Sequence, residues 1–423
     1  MAKNRKSFVA LAALVATGST WAQSSVTLFG VMDATFSMFS NKSQNALGQS
    51  ATTSQTVLRN SGYNSSRLGF RGTEDLGGGL AANFWMEGSV LTDTGAGAAT
   101  GGGFAFDRRS TVSLSGPFGE VRLGRDYTPS FWQDAMYDPM GINGVGVSLI
   151  ASAHGYNSPG SMLAQSGFTA NANYVRASNS VGYFLPPNLG GFYGQFMYAM
   201  NEKTSYDPGT LTPPTAAAIV NNPSLATTND NARVGSYLGT RLGYTNGQLD
   251  TSVLLASTPI TSNYFLGRTN SLETWGIGAS YDFKYAKLFS AYSHNKIKVN
   301  DSSPLANPFG FVGPGANGWI VGSTIPVGPG MIRLSYAEVK YNNVNRASQI
   351  ISSDEPEASK WALSYVHNLS KRTAFYATVA RVSNKYGADL TLGGPAYVKT
   401  SPATGTLTPQ SSTGLDLGFS HVF

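Results

Sequence analysis

Three observations predict an all-β chain folded as a 16-stranded antiparallel barrel that crosses a membrane. Only 12% of its 423 residues are charged, and glycine (49), tyrosine (21) and phenylalanine (22) are abundant; ordinary soluble domains carry about 25% charged residues. Beyond Ala22, no uninterrupted apolar run reaches the roughly 20 residues a membrane helix needs. The final segment, Thr413 to Phe423, alternates to its last residue: Leu415, Leu417, Phe419 and Phe423 project to one side, Asp416, Gly418 and Ser420 to the other. Lipid offers no water to unpaired backbone groups, so a chain without helical spans crosses it as a closed barrel.

From the start of the chain, residues 1–22 read as a signal peptide. Lys3, Arg5 and Lys6 precede the apolar stretch Phe8 to Ala16, and Thr20-Trp21-Ala22 supplies a small-residue cleavage site. Residues 23–423 read as one barrel domain. Removing the leader takes three of the 29 basic residues and leaves 26 against 23 acidic ones, a net charge of only +3. That argues against nucleic acid as a partner. The absence of cysteine excludes a disulfide scaffold, thiolate metal sites and cysteine catalysis.

The wall strands follow in order. Alternation marks them near 25–39, 65–73, 80–91, 106–115, 120–126, 173–184, 192–200, 232–244, 248–257, 271–283, 287–294, 318–325, 331–341, 358–367, 373–383 and 413–423. In 274–283, Trp275, Ile277, Ala279, Tyr281 and Phe283 oppose Thr274, Gly276, Gly278, Ser280 and Asp282. In 233–244, Val234, Leu238, Leu242 and Tyr244 oppose Arg233, Gly235, Tyr237, Gly239 and Arg241. In 66–73, Leu68 and Phe70 oppose Arg67, Gly69, Arg71 and Thr73. A face of arginine and glycine opposite a face of leucine and aromatics suits a watery lumen inside and lipid outside. It does not suit a dry sandwich core. The strands at 287–294 and 373–383 alternate poorly, and their registers stay open.

Connections alternate in length. Short links such as Glu74 to Gly79, Gly116 to Gly119, Leu185 to Gly191, Thr245 to Gln248, Pro326 to Gly330 and Asn368 to Arg372 are rich in glycine, proline and asparagine, as tight turns require. Long polar stretches fall near 41–63, 93–105, 127–172, 201–231, 295–317, 342–356 and 384–411. One trimmed end and one elaborated end is the asymmetry of outer-membrane barrels, and 16 strands enclose a water-filled channel.

Five stretches carry a specific likeness: Ser25-Val-Thr-Leu-Phe-Gly-Val-Met-Asp33, Ser66-Arg-Leu-Gly-Phe-Arg-Gly-Thr-Glu-Asp-Leu-Gly-Gly-Gly79, Arg108 to Arg125, His367-Asn-Leu-Ser-Lys-Arg-Thr373 and the terminal strand. Together they resemble the general porins of Gram-negative outer membranes. The resemblance implies a homotrimer of 16-stranded barrels exported through the periplasm, in contact with outer-membrane lipid and lipopolysaccharide. It also implies a third long loop, about Tyr127 to Ala172, that folds inward to constrict the channel. Phe423 would then close the ring and serve as the assembly signal.

By motif position, the resemblance places basic wall residues at Arg67, Arg71, Arg108 or Arg109, and Arg125. Strict alternation favours Arg109 over Arg108 and Arg122 over Arg125, so both pairs remain open. The acidic and aromatic side of the constriction would be Asp126, Tyr127, Asp134, Tyr137 and Asp138 on the inward loop. Facing arginine and aspartate rings would set up a transverse field that passes small hydrophilic solutes and inorganic ions. Wall arginines, with Arg233 and Arg241 among the candidates, outnumber acids, which predicts mild anion selectivity. Within the channel class, a porin specific for a small anionic solute is the alternative. An outer-membrane barrel hydrolase or adhesin is the alternative from another class. The four histidines, His154, His294, His367 and His421, show no metal-ligand spacing, and no Gly-x-Ser-x-Gly elbow precedes a helix. The glycine run Gly95 to Gly103 lacks a following Lys-Ser/Thr. No cofactor and no metal site is expected.

Overall fold

The computed structural model describes residues 25–154, 173–204, 215–221, 233–263, 268–301, 313–343, 354–401 and 405–423. The proposed signal peptide at 1–22, residues 155–172 of the third long stretch and most of 201–231 lie outside the described residues. The wall strands are β1 (Ser25–Gln44), β2 (Ser50–Asn60), β3 (Arg67–Gly77), β4 (Leu80–Ser89), β5 (Arg109–Gly116), β6 (Gly119–Tyr127), β7 (Arg176–Phe184) and β8 (Phe192–Ala199). They continue as β9 (Tyr237–Thr245), β10 (Leu249–Asn263), β11 (Arg268–Asp282), β12 (Lys287–Asp301), β13 (Gly315–Val327), β14 (Gly330–Asn342), β15 (Glu357–Asn368), β16 (Thr373–Lys385) and the terminal strand Thr408–Val422.

Every strand pairs antiparallel with its neighbours, and the terminal strand pairs with β1 to close the ring, Val31 opposite Val422 and Phe36 opposite Leu417. Gly30 and Phe423 complete the seam by exchanging both backbone hydrogen bonds, at 3.0 and 3.1 Å. A side chain at position 30 would put its Cβ 2.3 Å from the Phe423 ring, so glycine there is a requirement of the closure. Closure leaves no sheet edge facing lipid, which is why this fold can sit in a membrane at all.

The barrel has 16 staves because β2 and β3 share one. β1 is long enough to pair with β2 through Ala34 to Gln44 and with β3 through Ser25 to Val31. Between β2 and β3 the chain leaves the wall at 61–66, with Ser61 at φ 65°. Asp33 holds this excursion: its carboxylate accepts the N–H groups of Gly62 (2.9 Å) and Asn64 (2.8 Å) and the Tyr376 hydroxyl (2.6 Å). The stretch 41–63, expected to be a long loop, is therefore mostly a hairpin with a tight turn at 45–49. Its serines and threonines alternate too weakly in hydrophobicity to announce a strand.

Faces follow the expected alternation. Trp275, Ile277 and Tyr281 are exposed on the outside of β11, whereas Thr274 and Ser280 are buried inside. β9 does the same with Leu238 and Leu242 outside and Tyr237 and Arg241 inside. Arg233 precedes β9 and is exposed, so it is not a wall residue of that strand. β16 breaks the rule for a physical reason: its inward face carries Ala380 and Val382, both fully buried, because loops pack on it from inside. One of those loops is 386–397, expected to lie outside. It turns inward and buries Leu390 and Leu392. Asn384 clamps it through both the N–H and the carbonyl of Leu390, at 3.1 and 3.0 Å.

Candidate functional site: an arginine-lined eyelet

Beyond β6 the chain crosses the lumen. Thr128 caps the helix α1 (Pro129–Met136) by accepting the Phe131 N–H at 3.3 Å, and Pro129 occupies a first-turn position where a missing N–H costs nothing. α1 rests on β8 to β11. The Gln133 amide oxygen accepts from Arg241 Nε (3.2 Å) and the Ser252 hydroxyl (2.8 Å), and the Tyr137 hydroxyl donates to Asp250 (2.7 Å). The Tyr137 ring lies where a Cβ on Gly278 would sit, 2.0 Å away, so that glycine makes room for the loop.

The segment after α1 reaches the far wall. Asp138 accepts three backbone N–H groups, from Met140 (2.9 Å), Ile142 (3.1 Å) and Ser148 (3.0 Å), and so folds the turn around itself. Arg333 Nε donates to the Pro139 carbonyl at 2.7 Å, Lys360 Nζ to the Val147 carbonyl, and the Val145 N–H to Asp416 at 2.8 Å. Met140, Val145, Leu149 and Ile150 then pack with Val339, Ala362, Ala380, Leu390 and Leu392 in one apolar cluster inside the barrel. Burying that cluster offsets the entropy of ordering the loop. The described part of the third loop is thus a strut across the channel.

What remains open is a passage bordered by β2 to β7 on the wall side. A cavity of about 400 Å³ with Arg71, Arg109 and Arg122 on its wall lies toward the short-turn end, and one of about 440 Å³ with Arg59, Arg108, Tyr127 and Arg176 lies at the level of the loop. The loop side of the latter offers Phe131, Gly141, Ile142 and Asn143, all without charge. Arg108 donates to Glu87 at 2.6 Å and to the Tyr127 hydroxyl at 2.7 Å. Arg176 reaches the same hydroxyl at 3.1 Å and stacks on the Tyr127 ring, 4.6 Å from its centre. Arg67 approaches Glu87 at 3.8 Å. Arg122 is held by Asp126 (2.6 Å) and Glu120 (2.9 Å), and Arg109 lies 3.6 Å from Asp126.

The two open pairs are answered differently. Arg109 is in register with Glu87 on the lumen face of β5, and Arg108, just before the strand, bonds that same glutamate, so both reach the passage. Arg122 faces inward opposite Ser113. Arg125 is opposite Ser110 on the outer face, beside the exposed Val112 and Leu114, and donates to the Asp107 carbonyl (2.5 Å) and to Ser178 (2.7 Å).

The acidic loop takes a different role from the expected one. Asp126 and Tyr127 end β6 instead of belonging to the loop, and Asp126 neutralises arginines of its own wall. Asp138 is spent on backbone amides, and Asp134 is buried under the Tyr174 hydroxyl at 2.7 Å, where burial pushes its carboxyl up to about 7. Neither faces the arginine wall. A sequence gives no means of telling an aspartate that caps a turn from one that meets a solute. Arg59 and Arg176 escaped notice because Arg59 fell in the stretch read as a loop and Arg176 begins its strand beside the long loop. In Thr53, Gln55, Val57 and Arg59 the inward alternation is present, but Leu58 is the only strongly apolar residue of the outer face.

The Gram-negative porin family profile matches residues 10–387. The chain belongs to this porin family. Outer membrane porin protein 32 of Delftia acidovorans is 36% identical over 420 residues, spanning 99% of this chain and 100% of that one. An outer membrane porin of Bordetella pertussis is 27% identical over 399 residues, 88% of this chain and 93% of its own. Among solved structures, an anion-selective porin from Comamonas acidovorans superposes with a TM-score of 0.68 at 34% identity, covering 95% of this chain and 100% of that chain. OmpT of Vibrio cholerae, in a trimer form, shares the fold alone, with a TM-score of 0.53 at 12% identity over 95% and 99% of the two chains. This porin is accordingly an outer-membrane diffusion channel and not an enzyme.

Proposed function

We propose that this porin passes small hydrophilic solutes and prefers anions, through an eyelet whose basic half has no facing acidic half. The observation that carries the reading is the charge balance of the lumen wall. Arg59, Arg67, Arg71, Arg108, Arg109, Arg122 and Arg176 are opposed there by Glu87, Glu120 and Asp126, and the loop side of the eyelet is neutral. An anion entering the eyelet exchanges part of its hydration for guanidinium N–H groups, while a cation meets repulsion. Several arginines already share carboxylates or a tyrosine hydroxyl, so the pull on a passing anion stays weak enough to permit departure. The preference should grow at low ionic strength, because the Debye length lengthens from about 8 Å at physiological salt to about 30 Å at 0.01 M. The test is the zero-current potential across a planar bilayer under a salt gradient; a cation-selective sign would refute the reading.

The same proposal includes removal of residues 1–22 on export and assembly of three barrels in lipopolysaccharide-containing membrane. Single-channel closures in threes would support the trimer, and closures in single steps of full conductance would refute it.

A further inference from the structure

Below the eyelet, toward the short turns, two arginines are held by aromatic stacking and keep most of their N–H donors free. Arg71 on β3 lies with its guanidinium carbon 5.2 Å from the Trp85 ring centre and 5.5 Å from that of Phe29. Arg109 lies over the same tryptophan at 4.4 Å. Stacking on an aromatic face fixes a guanidinium in place while leaving its N–H edge free for a bidentate oxyanion. Arg122 next to them is the contrast, because Glu120 and Asp126 take its donors. Arg71 has no hydrogen-bond partner among the described residues and is exposed to the lumen; Arg109 spends its Nε on Thr111 at 3.2 Å and lies 3.6 Å from Asp126, whose carboxylate is shared with Arg122. Both arginines line the cavity of about 400 Å³, together with hydroxyl groups such as that of Thr27 and with Glu120, whose carboxylate is paired with Arg122.

We propose that Arg71 and Arg109, stacked on Trp85, form a second anion station on the short-turn side of the eyelet, which takes small oxyanions such as inorganic phosphate. The station rests on the anion-selective reading of the eyelet and adds to it a direction: an oxyanion arriving from the short-turn side meets this station before it meets Arg108 and Arg176. Fixed guanidinium edges pair in bidentate fashion with phosphate oxygens, and the neighbouring hydroxyls can donate to the remaining ones. Chloride, with no pair of oxygens to meet two parallel N–H groups, gains less from the same arginines.

The experiment measures chloride current through single full-length mature channels in planar bilayers, with inorganic phosphate added to one side at a time. Phosphate from the short-turn side is expected to halve the current at a concentration about fivefold below that needed from the loop side, the factor expected for one well-placed, water-exposed charge pair. In the double variant Arg71→Gln with Arg109→Gln the difference between sides should vanish, while the chloride reversal potential keeps its anionic sign, since Arg59, Arg108 and Arg176 are untouched. Arg71→Lys keeps the charge and loses the planar stack, and should retain less than half of the side difference; its chloride conductance reports that the channel is folded and inserted. Equal block from both sides in the unaltered channel, or a side difference that survives the double variant, overturns the station. A cation-selective reversal potential in the unaltered channel overturns the eyelet reading instead, so the two failures are distinct.

Discussion

Asp138 is the most informative residue to change, because two accounts of it predict opposite electrical signatures. As a turn organiser it accepts the N–H groups of Met140, Ile142 and Ser148 at 2.9 to 3.1 Å in a buried setting. Asp138→Ala leaves these three donors without an acceptor, and an unsatisfied buried group costs about 1–3 kcal/mol. Part of that is returned, since the burial of the carboxylate is itself unfavourable, so the strut should lose about 3–5 kcal/mol of docking energy. Asp138→Asn is milder. One carboxylate oxygen serves Ile142 and Ser148 while the other serves Met140, so an amide keeps the first pair and turns its NH₂ toward the Met140 N–H, a loss of about 1–2 kcal/mol. Arg333, Lys360 and Asp416 still tie the loop to the far wall, and the expected result is a loosened strut in a channel that still folds. Single-channel records should show open-state current fluctuations on the microsecond-and-slower scale of local unfolding, larger for alanine than for asparagine, with little change in reversal potential. A quiet channel whose reversal potential shifts toward stronger anion preference would refute the reasoning, since it would mean that Asp138 acts on the permeating ion directly.

Other expectations follow from the same geometry. Arg59→Gln and Arg176→Gln should each reduce anion preference in the bilayer reversal potential, whereas Arg125→Gln, on the outer face, should leave it unchanged. Asp134 has its carboxyl raised from the ordinary range to about 7 by burial. Its protonated form favours the folded loop, so its contribution is fully present below about pH 4 and is lost as pH rises through 7. The thermal denaturation midpoint of the detergent-refolded channel should therefore fall from pH 5 toward pH 8, and Asp134→Asn should flatten that slope; an equal slope in the variant would exclude Asp134 as its source. At the seam, Phe423→Ala removes a half-exposed ring worth about 1–2 kcal/mol, while Gly30→Val places a Cβ 2.3 Å from that ring and 2.8 Å from the Arg67 carbonyl. Urea unfolding should rank Gly30→Val as the more damaging, and the opposite order would argue against seam packing as the reason for the glycine.

How much was legible in the sequence depended on whether a property was local. Leu238 and Arg241, or Ile277 and Ser280, declare their faces because each strand separates two solvents and side chains alternate between them. That alternation, with short glycine-rich links, determined the barrel, its 16 staves and its closure by the terminal strand on the opening segment from Ser25. It also determined that Arg67 and Arg71 look into water, whereas the choice between Arg108 and Arg109 and between Arg122 and Arg125 waited for the pairing of β4, β5 and β6. Where a strand faces packed protein instead of water, as at Ala380 and Val382, the local signal disappears.

The tertiary structure decided what the charges do. Asp134 and Asp138 look in sequence like one half of a transverse field. The fold spends them on Tyr174 and on three backbone amides, because a loop that crosses a channel must satisfy its own donors before it can present charge to a solute. Arg59 became a pore residue only when β2 paired with β1, and the 386–397 loop became an inner wall only when Leu390 and Leu392 found Met140 and Val145. Arg59 and its partner Thr35 belong to different strands, Leu390 and Met140 lie 250 residues apart, and no periodicity within one segment encodes either contact. The sequence by itself determined a barrel that closes around water; folding in three dimensions determined which arginines are left free to meet an anion there.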